Sequence, residues 1–131
     1  MTDQKFSPGF RISVLDSFVL LSGAIATIYF GMRMWQVGVV IGFSVAHFFL
    51  FCNVFRIRRA PELVWAASFI VLIFSTILFG FPGWFLSMVL SLAVSVFLVF
   101  REFRHLSYHG IFWRNFNPQL EVWWNSEKNR K

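Results

Sequence analysis

Asp16 and His47 are the first residues in this chain whose types and surroundings could do chemistry, because each sets an ionisable side chain inside a long apolar run. A charge in hydrocarbon is expensive, so a carboxylate or imidazole there marks an ion path, a proton relay or a ligand for haem iron. At the helical rise per residue, His47 lies about 10 Å from the end of its run and Asp16 about 6 Å from the matching end of its own. That common depth allows a carboxylate–imidazole hydrogen bond. The structural alternative satisfies His47 through Ser44 or a hydroxyl on a facing helix. It neutralises Asp16 with Arg101 or an arginine of the cluster at 56–59.

Glu102, His105 and His109 form a second constellation. Their spacing would put one carboxylate and two imidazoles on a single helical face, a pattern that zinc, iron or copper accepts. Ser87, Ser91 and Ser95 recur every four residues among Leu, Val and Phe, which makes a small, weakly polar stripe suited to helix packing or to lining a hydrated path. Arg56, Arg58 and Arg59 interrupt two apolar runs, with Asn53 and Glu62 beside them, and their guanidinium forks suit lipid phosphates or the carboxylates of another subunit. No glycine-rich phosphate loop, Ser/His/Asp arrangement, Cys-x-x-Cys pair or His-Glu-x-x-His motif occurs. Nothing therefore reads as nucleophilic catalysis, and no cofactor is firmly implied.

The elements that would position these residues follow from hydropathy. Of 131 residues, 57% are hydrophobic and 14% charged, with mean hydropathy +0.65, too apolar for an ordinary soluble domain. No charged residue stands between Arg33 and Arg56, nor between Glu62 and Arg101. About 20 apolar residues match the hydrocarbon core of a bilayer, so the pattern predicts four spans, at about 12–31, 35–54, 63–81 and 84–100. The first is too long for a signal-peptide core and is expected to be retained. The fold class expected is an all-α integral membrane protein: four transmembrane helices in an antiparallel bundle, then a C-terminal interfacial helix and tail. Residues 1–11 form an N-terminal segment, 12–100 the membrane domain and 101–131 a basic, aromatic-rich tail.

Two further stripes of small residues, Gly23/Thr27/Gly31 in the first span and Gly38/Gly42/Ala46 in the second, let helices approach closely. Met32-Arg33-Met34 is too short a link for anything but a hairpin. Pro61 suits the opening turn of the third span. Single Cys52, within an apolar run, reads as a small hydrophobe.

Charge orients the spans. Eleven basic residues (Lys5, Arg11, Arg56, Arg58, Arg59, Arg101, Arg104, Arg114, Lys128, Arg130 and Lys131) fall on one side and Arg33 alone on the other. The positive-inside rule makes both termini and the arginine cluster cytoplasmic, in a bacterial-type inner membrane, with Trp35 and Trp84 at the outer interface and Trp65 at the inner one. The net charge of +6 then points to anionic lipid headgroups rather than nucleic acid. With so little mass outside the membrane, the expected function is a small non-catalytic subunit or accessory protein of a larger membrane complex, in contact with other subunits or with copies of itself. The alternatives are a homo-oligomeric channel or transporter using Asp16, His47 and the Ser87/Ser91/Ser95 face, and a haem- or quinone-binding electron-transfer module.

Overall fold

The computed structural model describes residues 6–130, and the described chain is helical without strands. Helices α1 (Val14–Gly31), α2 (Trp35–Phe49), α3 (Arg59–Phe79) and α4 (Trp84–Phe103) are followed by a single turn, α5 (Trp113–Phe116), and by α6 (Leu120–Arg130). Helix α2 continues without a break into a wider π turn at Leu50–Val54. Four helices, counting α2 with its π turn, are long and apolar enough to cross a membrane, which fits a multi-pass integral membrane protein.

Local chemistry sets where these helices begin and end. Ser13 caps α1 by accepting from the Asp16 amide at 3.1 Å, while the Asp16 carboxylate accepts from the Ser13 amide at 2.8 Å. This reciprocal box satisfies two backbone donors that the helix start would otherwise leave open. Helix α3 begins at Arg59, one helical turn before the position that hydropathy suggests, with extended Arg58 as its N-cap and Pro61 inside the first turn. It ends on Gly80, whose left-handed backbone (φ 69°) lets its amide reach Thr76 O at 3.0 Å. Helix α4 runs to Phe103 rather than Phe100.

Helices α1 and α2 meet where they carry least side chain. A methyl group added to Gly38 would fall 2.8 Å from Gly31 N and 2.9 Å from Thr27 O, so the two backbones are in direct contact there. Gly42 faces the Thr27 methyl, and Gly23 faces Val45. Ala46, expected in this seam, is exposed, and Val45 takes its place. Steps of four residues overshoot a helical turn by about 40° each, so a stripe written in fours rotates off the contact line.

The remaining spans pack through larger groups. Phe51, Trp65, Phe69, Ile73, Leu98 and Val99, from the π turn, α3 and α4, form the buried core. Trp65 lies inside this core, 6% exposed. The early start of α3 carries it about 9 Å into that helix. At the opposite end of the spans Trp35 and Trp84 make an edge contact with ring centroids 6.2 Å apart.

Candidate functional site

The densest polar structure lies where the starts of α1 and α3 meet the ends of α2 and α4. Its first part is an ion pair. The Arg58 guanidinium donates to both carboxylate oxygens of Glu102, Nε to Oε1 at 2.8 Å and a terminal nitrogen to Oε2 at 3.2 Å. Glu102 is 3% exposed and Arg58 half-exposed. A buried carboxylate needs a compensating charge, and α4 delivers Glu102 to one because its buried face continues through Ser87, Ser91, Ser95, Leu98 and Glu102. The hydrogen bond to Glu102 raises the Arg58 pKa above its ordinary value, against a smaller effect of burial.

Its second part is built by the π turn. Widening the helix at Leu50–Val54 points Asn53 inward, 4% exposed, and frees backbone carbonyls that a regular helix would use. Asn53 O accepts from Arg11 N at 3.2 Å and Val54 O accepts from Ile111 N at 2.9 Å. With the Asn53 amide oriented by its hydrogen-bond partners, its nitrogen donates to Asp16 Oδ2 and to Arg11 O, both at 2.9 Å. Asp16 is thus held by Ser13 and Asn53, with neither Arg101 nor the arginines of the 56–59 cluster in its hydrogen-bond set.

Arg56 turns the chain out of the π segment with a left-handed backbone, φ 47°, an uncommon conformation that costs a non-glycine residue about 1–3 kcal/mol. Its Nη1 donates to Ser7 O at 2.7 Å. Gly9 N donates to His109 O at 2.7 Å, so the segment before α1 lies against both the hairpin and the chain beyond α4. Together they enclose a cavity of about 500 Å³ lined by Phe6, Ser7, Pro8, Arg11, Arg56, His109 and Trp124. Burial, and then the nearby Arg11 charge, pulls the Arg56 pKa below its ordinary value.

The chain after α4 departs from the surface helix expected there. It leaves helical form at Arg104 and folds back against the π turn and the segment before α1, through Ile111 N to Val54 O and Gly9 N to His109 O. Tyr108 is buried, its hydroxyl donating to Ile111 O at 2.8 Å. Burial, reinforced by the Glu102 charge, pushes its pKa up to about 12. Asn117 donates to the carbonyls of Leu106 and Tyr108, and Gly110 sits against Phe55 where no side chain fits. This turn removes the helical face that the metal pattern required. Glu102 belongs to Arg58, the His105 ring bonds the Ser107 hydroxyl, and the His109 ring bonds the Ser107 carbonyl. Among the described residues no three His, Cys, Asp or Glu side chains are grouped to hold a metal ion.

His47 stands elsewhere, in a column of rings. It stacks on Trp65 with centroids 4.6 Å apart and planes 8° apart, with Phe43 at 4.2 Å and Phe51 at 5.7 Å. Its Nδ1 lies 2.9 Å from Phe43 O, so this nitrogen carries the proton and donates, since a carbonyl only accepts. Ser44 instead bonds Val40 O. The serine stripe faces α3: Ser87 pairs with Thr76 at 2.8 Å, Trp65 Nε1 donates to Ser91 O at 3.3 Å, and Ser95 donates to Ser91 O at 2.9 Å. Trp65 therefore stands between His47 and the serines, and Asp16 is in the polar cluster with Asn53. The structure does not bring Asp16, His47 and the serines to one surface of this chain.

Sequence reasoning missed three working parts: the Ser13/Asp16 box, the Arg58–Glu102 pair and Arg11. The first had a visible signal, a serine three residues before an acid at the head of an apolar run. The second could have been reached by extending the serine stripe through Leu98 to Glu102, which would have made that acid a buried one. Arg11 had no signal, because its role depends on the π turn. Neither a family model, nor a curated protein, nor a solved structure matches the chain.

Proposed function

We propose that the protein is a non-catalytic integral subunit or accessory protein of a larger membrane assembly. In this reading the four spans form an antiparallel bundle in an inner membrane, with the basic end and both termini cytoplasmic. The observation that carries it is how the polar groups of the spans are used. Asp16 caps a helix, Asn53 ties α2 to α1, Glu102 ties α4 to α3, and His47 is stacked on Trp65. Each serves the chain's own architecture, which is what a protein whose work is contact requires. Helix α1 has no buried residue and leaves Phe18, Leu21, Ile25 and Ile28 exposed for lipid or a neighbouring helix.

The test is co-purification from native membrane in mild detergent. The expected result is a set of larger membrane proteins in fixed stoichiometry. A discrete homo-oligomer with nothing else bound would replace this reading with a channel or transporter, and an absorbing haem or quinone would replace it with an electron-transfer module. Cysteine labelling at positions 33 and 129 checks the orientation: only position 33 is expected to react from outside, because the basic count is so one-sided. Lys5 and Lys131, two of the residues behind that count, lie outside the described residues.

A further inference from the structure

The cavity at the basic end is lined by two arginines and a histidine, and no Asp or Glu among the described residues lines it. Arg58, the neighbouring arginine, is already neutralised by Glu102. Arg11 and Arg56 have instead been brought together by backbone geometry. Arg11 is fixed at both its amide and its carbonyl by Asn53, and Arg56 by its left-handed turn and its bond to Ser7 O. Arg11 also feels the Asp16 carboxylate, but its charge and that of Arg56 repel each other in one half-enclosed space, and an anion placed between them would relieve that repulsion. Guanidinium forks match tetrahedral oxyanions, and one nitrogen of Arg56 on Ser7 leaves the rest of its fork free to donate. The cavity's volume of about 500 Å³ falls within the ordinary range for small-molecule sites, and Phe6 and Trp124 give it an apolar wall beside the charges.

We propose that this cavity binds a phosphate group, with Arg11 and Arg56 as its ligands, His109 at its edge, and Phe6 and Trp124 against the ester or glycerol part of the molecule. The phosphate belongs either to an anionic phospholipid entering from the leaflet or to a soluble phosphate compound. Arg58 and Arg59 are not part of the site. The arginine cluster therefore divides: Arg58 holds α3 to α4, and Arg56 faces the ligand.

Delipidated full-length protein is the material for the test. It is offered phosphatidylglycerol or phosphatidylcholine, and retained lipid is counted by native mass spectrometry; separately, inorganic phosphate is titrated against protein in phosphatidylcholine nanodiscs, with melting temperature as readout. The cavity variant is Arg11→Gln with Arg56→Asn, since asparagine tolerates the left-handed backbone. Its control is Arg101→Gln with Arg104→Gln, which removes the same charge from exposed positions at the same end. Wild type and control are expected to bind alike, and the cavity variant about tenfold or more weakly. Binding of phosphatidylglycerol alone identifies a lipid site, and stabilisation by inorganic phosphate in neutral lipid identifies a soluble ligand. If the cavity variant does not fold, Arg11→Gln is compared with Arg11→Lys, and only the glutamine form should lose binding. Equal losses in cavity and control variants, or binding by neither probe, would overturn the proposal.

Discussion

The α1–α2 seam and the α2–α3–α4 core are joined by opposite means. In the seam, Gly31 and Gly38 hold two backbones together by having no side chains to separate them. In the core, Phe43, His47, Trp65 and Phe69 bridge the helices through stacked rings. Hydrocarbon tails are as apolar as any side chain, so burial gives little drive to association inside a bilayer. What remains is van der Waals packing and hydrogen bonding. Close backbones provide the first over a narrow strip, and rings provide it over a wide one. A seam made by absence fails as soon as anything is added. A core made of rings fails when something is taken away.

That contrast predicts its largest effect at Gly38. Gly38→Val should separate α1 from α2 and abolish monodisperse protein, because its new atoms meet backbone on Gly31 and Thr27 rather than a movable side chain. Gly31→Ala should be tolerated, since its methyl group would meet only Gly38 Cα at 3.7 Å, an ordinary contact. Size-exclusion profiles of the two variants are the measurement, and equal behaviour would break the seam argument.

Removal should matter next, at Trp65. Trp65→Ala opens the ring column and is expected to destabilise by about 3–5 kcal/mol. Trp65→Phe keeps a ring but loses the donor to Ser91 O, and should cost about 1 kcal/mol. Reversible unfolding in mixed detergent gives both values. A reversed order would mean that the hydrogen bond, not the stack, holds α3 to its neighbours.

The smallest effect sharpens the comparison within one residue. Ser91 is fully buried, and its hydroxyl has no hydrogen-bond partner among the described residues. Ser91→Ala should therefore be neutral or slightly stabilising, because it removes a buried hydroxyl that makes no hydrogen bond. Ser91→Leu, which adds bulk between α3 and α4, should disrupt assembly more than Leu92→Phe, because Leu92 is 48% exposed. A marked loss in Ser91→Ala, with unfolding followed as before, would show that the hydroxyl contributes more than its size.

Much of this architecture could be read before any coordinates. Runs of apolar residues long enough for a bilayer set four spans, and the short link at Met32–Met34 set where the first two turn. The glycine stripes were legible because smallness is a property of the residue itself. The serine stripe was legible for the same reason, and all three of its serines are buried.

The partners of the polar residues were not legible in that way. Asp16 and His47 look alike in the sequence, each an ionisable group in an apolar run, yet one caps its own helix and the other stacks on a ring from α3. Arg56, Arg58 and Arg59 look like one basic cluster, but Arg58 finds Glu102 from 44 positions away, Arg56 lines a cavity with Arg11, and Arg59 opens α3. Hydropathy and residue size act along the chain and are summed over a span, so the sequence by itself determined the number and approximate extent of the helices and most of their small-residue stripes. A polar side chain's role depends on the direction in which one bond points. Two local departures, the π turn at Leu50–Val54 and the loss of helix at Arg104, set those directions at the basic end. Only the tertiary structure decided them, because a single residue of extra width in a helix turns every later side chain to a new neighbour.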